Sequence, residues 1–253
     1  MLLAAALALP APAAAQTARA WQLLEAGLKD PKHDVRTAAA QALGLAADDR
    51  ARVLAEWVLS DEKEDVRAAG AEALGHIGLP AAVPALKRAL KDTDAGVVFS
   101  AASALYELKD PSAYEVYYAV LTGERKSGEG LLQSQLDLLK DPQALAKIGF
   151  EAGIGFIPFG GIGYKTFKAV TADKTSPVRA AAAHKLVNDP DPRTVQALVS
   201  ALKDDKWMVR AAVVNALARR GHKAHASVIA PLLEDEHDTV RFNAAAALIR
   251  LSR

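Results

Sequence analysis

One phrase, repeated at a fixed spacing, constrains this chain more than any single residue does. It consists of an Asp, a Val five places later, an Arg six places later, and then a run rich in alanine. In its clearest form it reads Asp61, Val66, Arg67, followed by Ala68-Ala69-Gly70-Ala71-Glu72-Ala73-Leu74-Gly75. The same phrase occurs at Asp30/Val35/Arg36, Asp92/Val97/Val98, Asp173/Val178/Arg179, Asp204/Val209/Arg210 and Asp235/Val240/Arg241, with Val98 in the arginine position of the third copy. The Asp advances by 31 residues at each step except from Asp92 to Asp173, where 81 residues hold two periods and about 19 more. A period of this length is one supersecondary unit, which cannot bury its apolar face alone and must stack on its neighbours.

Each unit reads as a pair of antiparallel helices. In the second, Val53, Leu54, Trp57 and Val58 recur at helical spacing, a turn holds Ser60 and Asp61, and Val66 to Leu74 supplies the second stripe. Small residues such as Ala69 and Ala73 allow close approach between helices. The Asp ahead of each second helix is expected to cap it. Stacking is expected to bring each Arg near its own or the adjacent unit's Asp. The result is a structural ladder of Asp30, Arg36, Asp61, Arg67, Asp92, Asp173, Arg179, Asp204, Arg210, Asp235 and Arg241.

This Asp, Val-Arg, Ala-Ala-x-Ala-Leu pattern resembles HEAT repeats, and its short period is most similar to the HEAT-like repeats of the phycobilisome-lyase type. The resemblance implies an all-α superhelix of about seven helical hairpins, and a family that includes scaffolds, adaptors and a few enzymes. The units divide into residues 16–141 (repeats one to four), a glycine-rich apolar insert at 142–163, and 164–253 (repeats five to seven). The C-terminal unit shows no polar cap, so its end either exposes an apolar edge or packs on something.

Residues 1–15 stand outside the array. An apolar core from Leu2 to Leu9, Pro10, and Ala13-Ala14-Ala15 before Gln16 read as a secretory signal peptide without a basic n-region. A periplasmic or secreted location is therefore expected. The chain has no Cys, which excludes disulfides and a cysteine nucleophile. Its formal charge of +1 and the lack of a Lys/Arg-rich arm disfavour nucleic acid as a partner.

The insert carries Ile148, Phe150, Ile154, Phe156, Ile157, Phe159, Ile162 and Tyr164 among six glycines. Gly160-Gly161-Ile162-Gly163-Tyr164-Lys165-Thr166 fails as a phosphate loop because Tyr164 interrupts it, and Gly153-Ile154-Gly155-Phe156-Ile157-Pro158 lacks the third glycine of a dinucleotide fingerprint. Two readings remain. The insert either covers the gap between units four and five, or it is a loop whose Phe150, Phe156, Phe159 and Tyr164 contact a partner or dip into a membrane surface.

No constellation points to catalysis, a cofactor, a metal or a small-molecule substrate. His222 and His225 form a His-x-x-His pair without a third ligand nearby in sequence, and the His-Glu dipeptides of HEAT-like di-iron hydroxylases are absent. The remaining candidate is a surface. Resemblance to HEAT solenoids implies that second helices line the concave side, where positions four apart share a face. On that face lie Glu72, His76, Phe99, Ser103, Glu107, His184, Asn188, Asn215, Arg219, Phe242 and Arg250, acidic early and basic late, with Phe99 and Phe242 as expected anchors.

The sequence thus supports a non-enzymatic scaffold or adaptor that binds a protein or peptide through this face and the insert. Two alternatives stand beside it: a lyase- or isomerase-like factor acting on a chromophore-bearing protein, as the resemblance implies, and a peripheral membrane factor anchored by the insert.

Overall fold

The computed structural model describes residues 13–114, 116 and 176–253, and among them the regular elements are all helical. The first three units comprise α1 (Ala13–Gly27) and α2 (His33–Ala46), α3 (Asp49–Val58) and α4 (Glu64–Ile77), then α5 (Val83–Ala89), entered through a 3-10 turn at Pro80–Ala82, and α6 (Ala95–Glu107). The later units supply α7 (Ser176–Lys185), α8 (Pro192–Ala201), α9 (Trp207–Arg220), α10 (His225–Ile229), continued by a 3-10 turn at Ala230–Glu234, and α11 (Asp238–Leu251). The insert at 142–163 and Asp173 lie outside the described residues, as do the leader residues 1–12.

The repeated Asp does not cap its helix. Asp61 Oδ1 accepts the N–H of Lys63 at 2.9 Å, and Asp30, Asp92, Asp204 and Asp235 each accept from the residue two ahead at 2.8 to 2.9 Å. These are Asx turns, which redirect the chain into the helix while the N-cap residue itself is Lys32, Lys63, Asp94, Lys206 or His237. The turn leaves the second carboxylate oxygen facing the preceding unit. Arg36 Nε and Nη2 donate to Asp61 at 2.8 and 2.9 Å, Arg67 donates to Asp92 at 2.7 and 2.8 Å, and Arg210 donates to Asp235 at 2.7 and 2.8 Å. Arg179 pairs likewise with Asp204. In these four pairs the partner is the next unit's Asp, 25 residues on, whereas Arg241 in the last unit pairs with Asp238 of its own helix. Each guanidinium also holds its own turn: Nη1 of Arg36, Arg67, Arg210 and Arg241 donates to the carbonyl of Asp30, Asp61, Asp204 and Asp235 respectively.

Charge follows this geometry. Burial alone would raise the Asp61 and Asp235 carboxyls, but the bidentate arginine, the backbone N–H and the arginine charge outweigh it and hold both below the usual carboxylate range. Arg36, Arg67 and Arg210 are correspondingly raised, chiefly by the same hydrogen bonds.

Second helices pack side by side: α2 on α4, α4 on α6, α7 on α9 and α9 on α11. Glycine brings the backbones together, since a Cβ at Gly75 would lie 2.9 Å from Ala104 Cα. The first helices cover the outside. In α3 the residues turned to α4 are Ala51, Ala55 and Val58, whereas Val53 and Trp57 are 51% and 53% exposed. The apolar stripe expected through Val53 and Trp57 is thus divided, because residue 53 lies about 200° around the helix from residue 51.

The array also meets itself. Helix α11 packs on both α1 and α2, so the last unit sits against the first. Phe242 is 2% exposed, and a Cβ at Gly27 would lie 2.4 Å from its Cζ. Polar contacts flank this apolar joint: Arg250 Nη1 to Leu45 O at 3.4 Å, Arg253 Nη1 to Ala47 O at 2.7 Å, Arg253 Nη2 to Asp48 Oδ2 at 2.8 Å, and an Arg19–Glu234 pair. The C-terminal edge is packed, and the described second helices form one continuous arc, α7-α9-α11-α2-α4-α6, joined through the two ends of the chain.

Candidate functional site

The inner side of this arc is built from matching positions on parallel helices. In the middle row Gln41, Glu72, Ser103 and Asn215 are half-buried and His184 is exposed, whereas Ala246 is buried. In the last helical turn His76, Glu107 and Arg219 are exposed, Arg250 is half-buried and Leu45 is core, while Asn188 is exposed in a 3-10 turn at Leu186–Asn188 that follows α7. The first row is mostly apolar: Ala180, Ala211 and Phe242 are buried and Phe99 is half-buried, while half-buried Thr37 donates its hydroxyl to His33 O within its own helix. Phe242, expected as a surface anchor, is therefore a core residue of the joint between the ends. The packing of α11 on α1 converts a position that would face the groove in an open array into an interior one.

The charged rim brings together residues far apart in sequence. His76 is exposed, yet the protein around it lowers its pKa through burial; Glu107 opposes the shift and Arg219 adds to it. The Arg219 pKa is lowered by burial and then by Arg250, against the pull of Glu107. Units two, three, six and seven thus act on one another across the inner side, as accessible side chains in a concave surface do. Finer contacts fix the shape: Arg219 Nε donates to Asn215 Oδ1 at 2.8 Å, and Ser100 Oγ donates to Glu72 Oε1 at 3.4 Å. All these last-turn residues lie at helix C-termini, where free carbonyls favour His76, Arg219 and Arg250 over acids.

The His-x-x-His pair resolves into unlike members. His225 is buried, with Nδ1 3.1 Å from Leu217 O, so it ties α10 to the end of α9, while His222 is exposed and edge-on to it at 5.4 Å. Among the described residues no cluster of three or more metal-ligating side chains occurs, and no helix is long and apolar enough to cross a membrane. Phe150, Phe156, Phe159 and Tyr164 lie outside the described residues. Sequence reasoning missed Gly27 and Gly75 as points of close approach, and Arg220, whose Nη1 donates to the Leu186 and Val187 carbonyls at 2.8 and 3.0 Å. The Leu-Gly dipeptides of the second helices were the available signal for Gly75; nothing in the pattern marked the other two.

Comparison with known proteins gives a family match and little beyond it. A family model described as HEAT repeats matches residues 51–125 and 165–249. No curated protein matches. Among solved structures, the complex of CpcE and CpcF of phycocyanin lyase from Nostoc sp. PCC7120 is 26% identical over 82% of this chain and 79% of that one, with a TM-score of 0.35. Human deoxyhypusine hydroxylase in complex with glycerol is 21% identical over 95% and 91%, with a TM-score of 0.34. At such TM-scores neither structure argues for an activity.

Proposed function

The chain belongs to the HEAT-repeat family, and on that premise we propose that it is an exported, non-enzymatic scaffold that holds a protein or peptide partner against the inner side of its arc. The observation supporting this is the distribution of side chains. Ladder arginines and aspartates are committed to one another and the alanines to the core, while Ser103, Glu107, Asn215 and Arg219 stand on a concave face reached by solvent. Such a face offers many weak polar contacts to an extended segment. Export rests on the apolar leader. Ala13, Ala14 and Ala15 are exposed and core residues begin at Ala20, so cleavage before Gln16 would leave the core intact.

The chain has no native Cys, so single cysteines carrying a photo-crosslinker can be placed at Ser103 or Asn215 inside and at Glu56 or Lys87 outside. Adducts from the inner positions alone are expected when the protein is expressed with its leader and irradiated in whole cells. Equal adducts from both sides, or recovery of the full-length chain beginning at Met1 in the cytoplasmic fraction, would refute the proposal.

A further inference from the structure

Within the inner face, the most unbalanced spot lies on the last turns of α9 and α11. These helices pack side by side in the same register, so Arg219 and Arg250 are neighbours. Each is oriented by a contact of its own, Arg219 through Asn215 Oδ1 and Arg250 through the Leu45 carbonyl. They differ from the ladder arginines in one respect. Arg36, Arg67 and Arg210 each hold a carboxylate at 2.7 to 2.9 Å, whereas among the described residues neither Arg219 nor Arg250 forms an ion pair.

We propose that Arg219 and Arg250 form a carboxylate-binding pair, and that an acidic side chain of the peptide partner docks there. Arg219 feels one carboxylate across the arc, Glu107, and the Glu72 carboxylate accepts from Ser100 Oγ on its own side, so the two adjacent guanidiniums on α9 and α11 are left without a carboxylate in contact among the described residues. Repulsion between the arginines in a partly desolvated site makes a negative charge more welcome than on an open surface. The planar fork of each guanidinium matches a carboxylate in a bidentate manner. Arg219 is exposed and Arg250 half-buried, so both are reachable from the inner side.

The inference rests on the inner face being the partner surface, and the experiment separates the two. Fluorescein-labelled (Gly-Glu)3, (Gly-Gln)3 and (Gly-Lys)3 are titrated by anisotropy against the full chain at low and physiological salt. The wild type is compared with Arg219→Gln/Arg250→Gln and with Arg88→Gln/Arg193→Gln, a charge-matched control on exposed outer arginines. The Glu peptide is expected to bind at least about tenfold tighter than the Gln peptide, and to lose that margin in the inner double variant alone. An equal loss in the outer variant, or no preference for Glu over Gln, overturns the carboxylate site. If all three peptides bind alike and a bulky label at Ser103 blocks them, the partner surface stands while the arginine assignment falls. If none binds, both fall. Displacement of the Glu peptide by inorganic phosphate more readily than by acetate reassigns the pair to a phosphoryl group and overturns the proposal.

Discussion

Closure between the first and last units can be tested through one glycine. Gly27 ends α1, where alanine would ordinarily be the better helix former by at most about 1 kcal/mol. A Cβ there would lie 2.4 and 2.5 Å from Cζ and Cε1 of Phe242 and 2.9 Å from Ala39 Cβ. An exposed phenyl ring would swing aside, but this one is 2% exposed and enclosed by α1, α2 and α11. Overpacking of that kind costs about 1–3 kcal/mol, so Gly27→Ala should destabilise despite its propensity gain. Phe242→Ala should cost about 3–5 kcal/mol through the cavity it leaves. In the double variant the phenyl clash is gone and the alanine fills part of the hole, so the combined loss should fall short of the sum by about 1–3 kcal/mol. Urea unfolding gives the cycle, and hydrogen exchange should show faster opening in 13–27 and 238–251 before 64–77 is affected. If Gly27→Ala stabilises by the same amount with and without Phe242, the ring does not sit against Gly27, and the joint as described is wrong.

Three further outcomes follow from the same contacts. Arg67→Met, which strands Asp92 in a pair whose side chains are 15% and 13% exposed, should cost about 2–3 kcal/mol, somewhat under the value for fully buried pairs; Arg241→Met, whose carboxylate partner Asp238 lies on its own helix, should cost under about 1 kcal/mol in the same urea assay. His76 and His237 have folded-state pKa values below 6.5, in both cases mainly through burial, so the unfolded chain binds protons first as the pH falls. Stability should therefore drop between about pH 6.5 and the lowered folded values, and His76→Gln with His237→Asn should flatten that part of the profile. Ala47 occupies the left-handed C-cap of α2 with φ 52°, where Gly78 and Gly221 serve the equivalent helices, so Ala47→Gly should raise the melting midpoint, by about 1 kcal/mol in stability.

The repeat itself was legible because the same residues recur at the same phase, and stacking leaves few ways to satisfy an Asp and an Arg that appear in unit after unit. Which Asp each Arg takes was not legible, since that depends on the rise between units. Nor could the sequence separate a cap from an Asx turn, because the two differ only by where the helix begins after Asp61. Phe242 shows a deeper limit. It shares its register with Ala68 and Ala211, and side-chain type alone marks it as an anchor. Its actual role depends on α1 arriving from the other end of the chain, which is the sum of small rotations that no single repeat encodes. Val53 and Trp57 escaped for a local reason: their spacing is helical, but Ala51, Ala55 and Val58 form the stripe that meets α4.

Closure also changes what the inner face can do. In an open array Glu107 and Arg219 would mark different stretches of a long groove, and a partner would meet them in succession. Here Glu107 acts on Arg219, and both act on His76, so a segment touching the basic pair on α9 and α11 stands near the acidic and imidazole groups of α6 and α4 as well. A ligand that spans both sides binds the closed arc better than an opened one, and by linkage it must stabilise the joint by the same free energy that closure adds to its affinity. Variants at Gly27 or Phe242, which lie off the inner surface, should therefore weaken peptide binding in proportion to the fraction of molecules opened. Saturating peptide should in turn slow hydrogen exchange in 13–27. Affinity that is untouched by opening the joint would mean that one side of the arc carries the partner alone.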